Sequence, residues 1–433
     1  MNILWLVNIP LPEASRLFQE EVLPFGGWLV YASESLSKRP DVKLSVSFPR
    51  NRTGGVQEVR GENIQYYAFA PIQSPDQVES LKKVIERSKP DIVHIFGTEF
   101  AHTLAMVNVC EAAGVQVVIS IQGLVSVIAK HYTLGLPHHV QYRFTVRDIL
   151  KLDNIKQRQK RFIKLGKWEV EAIQKAEHII GRTTWDRACT SFINPAATYH
   201  YCNETLRNEF YQHEWDIDHC ERYSIFLSQG SYPIKGLHFA IEAMPLVLKR
   251  FPNAKLYVGG HDITKSDTWV AKLKISSYGK YIKKLIEKYN LQRQVIFTGM
   301  LNEKQMCARF LASHVFACPS SIENSPNSLG EAMLLGVPSI ASHVGGVTDL
   351  LSHQEEGFVY PSDAPYMLAH YICEIFADDQ LALQLSKYAK RKAAALHNRE
   401  MNDERLLEIY FQIASVKGDD LDEPVSQYSV HYV

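Results

Sequence analysis

Short apolar runs alternate along the chain with stretches whose apolar positions recur at helical spacing. Runs at 2–7 (NILWLV), 43–48, 91–96 (DIVHIF), 115–121, 178–181 and 198–202 predict strands. The pattern restarts with runs at 223–228, 255–258, 295–298, 315–318 and 339–342. Helical spacing predicts helices after Gly26-Gly27 to about Lys38, after Glu99 to about Ala113, from Arg182, and over 237–250, 328–335, 365–395 and 402–414. Regular alternation of strand and helix predicts an α/β architecture with parallel sheets. The polar stretch 211–222 has no periodicity and reads as a linker between a domain at 1–210 and a second at 223–396. Residues 397–416 form a terminal helix, and 417–433 are polar, acidic and pattern-free, as in a mobile tail.

Composition changes this picture little. A chain of 433 residues with 46% hydrophobic and 22% charged residues can bury two cores. Its formal net charge of zero gives no bulk attraction to nucleic acid. Seven cysteines without a C-x-x-C spacing argue against a disulfide framework or zinc site and for a reducing compartment. The first strand follows Met1 with no basic segment before it, so no signal peptide is expected, and no apolar run is long enough for a transmembrane helix. The expected location is cytoplasmic. One region departs from neutrality: between Arg143 and Lys175, basic residues far outnumber acidic ones and are interleaved with apolar ones. That reads either as a basic amphipathic helix on an anionic membrane surface, peripheral to the inner face of the plasma membrane, or as a solvated helix face.

Candidate chemistry concentrates at 320–349, SSIENSPNSLGEAMLLGVPSIASHVGGVTD. It reads as loop, helix, tight turn and strand, so the loop falls at the carboxyl edge of a parallel sheet, where ligands bind. Glu323 and Glu331 bracket that loop with seven residues between them. Amides of Ser328, Leu329 and Gly330 at the helix start suit an anion such as a diphosphate. The plainer alternatives are a capping box, Ser328-x-x-Glu331, and a solvated loop acid at Glu323. Elsewhere, Gly26-Gly27 precedes a helix, and the loop 229–236 places Lys235 just before Gly236 at a helix start, a phosphate-site pattern without P-loop spacing. Glu99 and His102 follow one strand end and read either as acceptor contacts or as structural residues, and Asn203, Glu204 and Arg207 follow another, a position that can face a cleft.

The E-x7-E spacing, with EAMLLGVPSIAS and VGGVTDLL after it, resembles the donor-sugar site of family 4 retaining glycosyltransferases with the GT-B fold. The resemblance is dense over about 223–361 and sparser over the first half. It implies two Rossmann-like domains facing a central cleft, with the last helix crossing back onto the first domain. It gives Glu323 a place beside the transferred sugar and Glu331 the nucleotide ribose. Lys235, in a segment ending Lys-Gly, would bind the donor diphosphate, with Glu323 and Lys235 as the catalytic pair. Gly26, Gly27, Ser231, Gly299, Asn327, Ser328 and Leu329 complete the implied donor site, Gly299 lying in the loop that packs on the base. Two departures stand out. Gln122 replaces a family His at a strand end, leaving Gln122 and Glu99 as the acceptor-side residues, and Gly230 or Ser231 stands where the family often has an Arg.

The implied reaction moves a sugar from a nucleotide-diphosphate donor to a saccharide or lipid-linked saccharide acceptor, in bacterial-type surface polysaccharide assembly, with retention. No Asp-x-Asp motif stands at a nucleotide site, so no obligatory metal and no further cofactor are expected. A nucleotide-sugar epimerase, a glycan phosphorylase and a catalytically silent scaffold subunit of the same architecture are the alternatives.

Overall fold

The computed structural model of the chain describes residues 1–22, 26–51, 54–266 and 268–415. Phe25 and the tail read at 417–433 lie outside them. Fourteen strands are named in chain order: β1 (Asn2–Leu6), β2 (Lys43–Pro49), β3 (Gln57–Arg60), β4 (Gln65–Phe69), β5 (Ile92–Phe96), β6 (Gln116–Ser120), β7 (His178–Gly181), β8 (Thr198–Tyr201), β9 (Glu221–Leu227), β10 (Lys255–Val258), β11 (Val295–Phe297), β12 (Ser313–Cys318), β13 (Ser339–Ser342) and β14 (Gly357–Tyr360). Among the described residues they form two sheets, in the orders β3-β4-β2-β1-β5-β6-β7-β8 and β11-β10-β9-β12-β13-β14. Every pairing is parallel except β3 with β4.

The central strands read as continuous apolar runs because helices cover both faces; β5 and β12 are buried at every position. The hairpin β3–β4 falls outside the expected strands. Its edge strand, QEVR, is largely exposed and so leaves no apolar signature. In each sheet the chain steps from its first strand to one side and later returns to the other, from β1 to β2 and then β5, and from β9 to β10 and then β12. The carboxyl ends of β1/β5 and β9/β12 are therefore topological switch points, where α/β sheets take ligands.

The stretch read as a linker is not free chain. Trp215 is 4% exposed, donates its indole N–H to Ser313 O at 2.8 Å, and packs with Ile217 and Cys220 into the second core. These apolar residues bury one at a time, which is why no period betrayed them, and β9 already begins at Glu221. The expected long helix 365–395 is two, Pro365–Ala377 and Asp379–Leu396, separated by Asp378, which caps the second through Gln380 and Leu381 N–H.

The last helix, Arg399–Ser415, buries Ile409, Tyr410 and Ile413 in the first domain's core. There Trp5 Nε1–H donates to the Tyr410 hydroxyl at 2.9 Å, and the same oxygen lies 2.5 Å from His94 Nδ1. The domains also meet directly: Thr183 donates to Asn324 Oδ1 (2.7 Å), Asn324 Nδ2 to Ile121 O (3.2 Å), and Thr184 to Asp349.

Candidate functional site

The second switch point is built by two loops that touch. After β9 the chain makes a short turn, Pro233–Lys235, and leaves it through Gly236 at φ +69°. A Cβ on Gly236 would lie 1.8 Å from Pro319 O, so only glycine lets this loop close on the one that follows β12. Ser321 N–H then donates to Ile234 O at 2.8 Å, locking the two together. Lys235 Nζ is thereby held 2.6 Å from Glu323 Oε1, an oxygen that also accepts from Ser320 Oγ at 2.7 Å. Burial works against the ammonium, but the adjoining Glu323 carboxylate outweighs it and raises the Lys235 pKa. The VGGVTD segment has a structural job here. Gly346 N–H donates to Glu323 O, and a Cβ on Gly345 would lie 1.8 Å from that oxygen.

The helix Asn327–Leu335 starts one residue earlier than expected. Leu329 and Gly330 N–H both donate to Pro326 O, at 2.9 and 3.2 Å, so Asn327 and Ser328, half-buried at the helix start, are the first-turn residues that line the cavity. This corrects the donor-binding assignment of Leu329, whose amide is taken and whose side chain is wholly buried in the core. It also removes the capping-box reading of Glu331, because no side chain caps this helix. Instead Arg207 forks onto Glu331, Nε to Oε1 and Nη2 to Oε2, both at 2.6 Å. Burial raises the Glu331 pKa, and Arg207 works against that rise.

These groups share one interdomain cavity of about 390 Å³. Lys235, Glu323 and Glu331 line it, as do Ser231, Asn327 and Ser328, and Gly26 and Gly27 close it from the first domain. Gly26 has φ +71° and opens the helix Gly27–Ser37 towards the cavity. Met300, Leu301 and Met306 add an apolar wall. Gly299 itself does not line it; at φ +76° it turns the chain, accepts from Gly260 N–H at 3.1 Å, and delivers Met300. Arg207 lines the cavity too, a residue whose position after a strand end was its only signal in the sequence.

The acceptor-side residues lie elsewhere. Glu99, at the first switch point, accepts from Asn8 Nδ2 at 2.6 Å, and Asn8 Oδ1 is 2.8 Å from His102 Nε2. Burial pushes the Glu99 carboxyl up to about 7. Gln122 donates to Glu204 Oε1 at 2.5 Å, and Glu204 pairs with Arg182 at 2.6 Å. Neither Glu99 nor Gln122 lines the cavity that holds Lys235, Glu323 and Glu331.

The basic stretch is not one helix. Thr145 and Asn154 each begin a helix with a capping box, giving Val146–Lys151 and Ile155–Lys175. In the longer helix, Arg158 is tied to Asp153, and Phe162 packs against the core. The exposed apolar side chains gather on and beside the shorter one: Phe144, Val146, Ile149, Leu150 and Leu152, with Leu150 79% exposed. Among the described residues no helix is long and apolar enough to cross a membrane.

Residues 208–392 match the family model described as glycosyl transferases group 1. An uncharacterized glycosyltransferase of Methanocaldococcus jannaschii, MJ1607, is 27% identical over 159 residues, covering 36% of each chain. The chain spans less than half the length of the first curated relatives it matches. Among solved structures, sucrose-phosphate synthase from Thermosynechococcus elongatus superposes with a TM-score of 0.70 at 16% identity, covering 96% of this chain and 99% of that one. Anabaena HepE in complex with UDP-glucose gives 0.66 at 17% identity, covering 95% and 100%. These likenesses give the fold: two Rossmann-like domains in the GT-B arrangement.

Proposed function

We propose, from the match of residues 208–392 to the glycosyl transferases group 1, that this protein transfers a sugar from a nucleotide-diphosphate donor to a saccharide acceptor, with retention at the anomeric carbon. The observation that carries this reading is the Lys235–Glu323 pair at 2.6 Å, set in one cavity with the Asn327 helix start and Glu331. An ammonium and the helix-start amides of Asn327 and Ser328 suit a diphosphate. Glu323, anchored by Ser320 and by Gly346 N–H on its own carbonyl, suits the hydroxyls of the sugar beyond it. Glu331 suits the ribose, and Met300 and Leu301 the flat faces of a base.

In this reading the bond from the anomeric carbon to the diphosphate breaks and the acceptor hydroxyl bonds on the same face. The acceptor proton passes to the leaving phosphate oxygen, and nucleoside diphosphate departs. Lys235 and the helix start stabilise the charge on the leaving group; Glu323 holds the sugar. No step calls on a metal. Glu323→Gln keeps size and removes charge, and kcat is expected to fall about a hundredfold or more. Turnover near wild type would remove Glu323 from the mechanism. Product analysis without acceptor, and with inorganic phosphate, separates transfer from epimerase and phosphorylase chemistry. Activity that survives EDTA supports the metal-free reading; loss restored by Mg²⁺ opposes it.

The acceptor is proposed to be lipid-linked, in surface polysaccharide assembly, with the protein held at an anionic membrane face. The exposed apolar cluster around the Val146–Lys151 helix, flanked by Arg143, Lys151 and Lys156, supports this.

A further inference from the structure

Glu331 poses a physical problem. Its side chain is 4% exposed, and a buried carboxylate is unfavourable unless paired. Replacing a buried ion pair by apolar side chains usually costs a fold nothing, so stability alone does not explain the pair. The partner is elaborately held. Arg207 lies on the segment that crosses from β8 to the short turn Asn208–Tyr211. Its guanidinium lies 4.7 Å from the Phe210 ring centroid, and its stem runs under the Gly-Gly turn of the first domain. A Cβ on Gly27 would come within 2.8 Å of Arg207 Cγ and 3.1 Å of Cδ. The first domain, the crossing segment and the donor-side helix thus converge on one fork, with both N–H···O distances at 2.6 Å.

We propose that Arg207 is the positioning residue for nucleotide recognition: its fork fixes the plane of the Glu331 carboxylate so that the remaining lone pairs face the ribose hydroxyls. The inference rests on the reading that this cavity takes a nucleoside diphosphate sugar. A carboxylate has about four acceptor positions; a bidentate guanidinium occupies two and leaves two for the vicinal hydroxyls. The fork also favours the ionised form, working against the burial that raises the Glu331 pKa. The other polar groups facing Glu331 give no such help. Glu303 is a like charge, Cys307 and Tyr211 are neutral, and the His397 ring beside Gly330 is held neutral by burial, its pKa down to about 4. Without Arg207 burial acts on the carboxyl unopposed by that guanidinium, shifting it further towards the protonated form, a poorer acceptor.

Calorimetric titration of the full-length protein with UDP, GDP and ADP, and with the 2′-deoxy form of whichever binds, tests this. Wild type is expected to prefer the ribose form by about tenfold or more, the scale of a hydrogen bond to a charged group. Arg207→Gln should lose that preference, and Arg207→Gln/Glu331→Gln should lose no more than either single variant. Binding to Arg207→Gln should tighten as pH rises from 6 to 9, while wild type stays flat over the upper half of that range. Arg207→Lys, charged but without the fork, should keep the pH behaviour and lose discrimination. If Arg207→Gln does not fold, Gly27→Ala, which displaces the Arg207 stem, should give the same loss of discrimination. A variant that lowers Tm yet keeps the ribose preference and a flat pH profile overturns the inference. Failure of wild type to bind any of the three nucleotides overturns the reading of the cavity instead.

Discussion

At the scale of single residues, the site depends on glycines as much as on charges. Gly236 is the sharpest case, because its left-handed backbone and its 1.8 Å clearance to Pro319 O both exclude a side chain. Gly236→Ala should lower stability by about 2–4 kcal/mol, measured as a drop in the urea midpoint, since φ > 0 strain and a backbone clash add. It should also reduce kcat/KM, because Lys235 is the preceding residue. A fully stable, fully active variant would mean the loop has another packing. Lys235→Ala should lower kcat/KM through lost leaving-group stabilisation, whereas Glu331→Ala should mainly raise the donor KM. Sequence singled out Lys235, Glu323 and Glu331 from two separate local segments, and the fold brings all three to one cavity. The Glu331 partner was not legible, since 124 positions separate it from Arg207 and no spacing rule spans such a distance.

At the scale of elements, two helices carry predictions. The helix Arg399–Ser415 is fastened to the first domain by the Tyr410 hydroxyl, which serves Trp5 and His94 together. Tyr410→Phe leaves the indole N–H and the ring nitrogen without that oxygen, at a cost of about 1–3 kcal/mol in denaturant unfolding. Nucleotide affinity should stay unchanged, because this contact lies outside the cavity. The helix Val146–Lys151 and its flanks carry the proposed membrane contact. Ile149→Asp/Leu150→Asp/Leu152→Asp should abolish binding to anionic vesicles in a flotation assay and leave turnover of a soluble acceptor intact. Equal flotation of variant and wild type would return the patch to a solvated face. The sequence located the charge excess but placed it on one continuous helix. The cap at Asn154 breaks that helix in two, Arg147 and Arg158 are tied to Asp153, and most of the exposed apolar side chains of the stretch lie on and beside the shorter helix.

At the scale of the molecule, buried histidines set the response to acid. His94 is fully buried with its pKa lowered to about 3 by desolvation, and burial lowers His102, His238 and His397 to about 4. Below about pH 6.5 the unfolded chain takes these protons and the folded chain does not, so stability falls as pH drops towards 4. Each contributes a loss of about 1.4 kcal/mol per pH unit in that window. Glu99 has the opposite sign. Its folded pKa of about 7 lies above the unfolded value, so between about 7 and 4.5 it binds its proton in the folded state and offsets one histidine. Urea midpoints measured from pH 7 to 4 should therefore fall steeply, and His94→Gln should flatten the slope by about one proton. An unchanged slope would show that His94 is not held neutral.

The sequence by itself determined the strand–helix alternation and the parallel α/β class. Each of these rests on periodicity or on turn chemistry within a few residues, which survive in one dimension. Tertiary structure alone decided what the local code does not hold: the burial of Trp215, Ile217 and Cys220 in an aperiodic stretch, the exposed edge strand β3, and the helix start at Asn327 that engages the Leu329 amide with Pro326 O. The pairing of Lys235 with Glu323 and of Arg207 with Glu331 belongs to the same class. Such contacts join segments far apart in the chain, and the low-dielectric cleft between two domains, which gives their charges their strength, exists only once both sheets have folded.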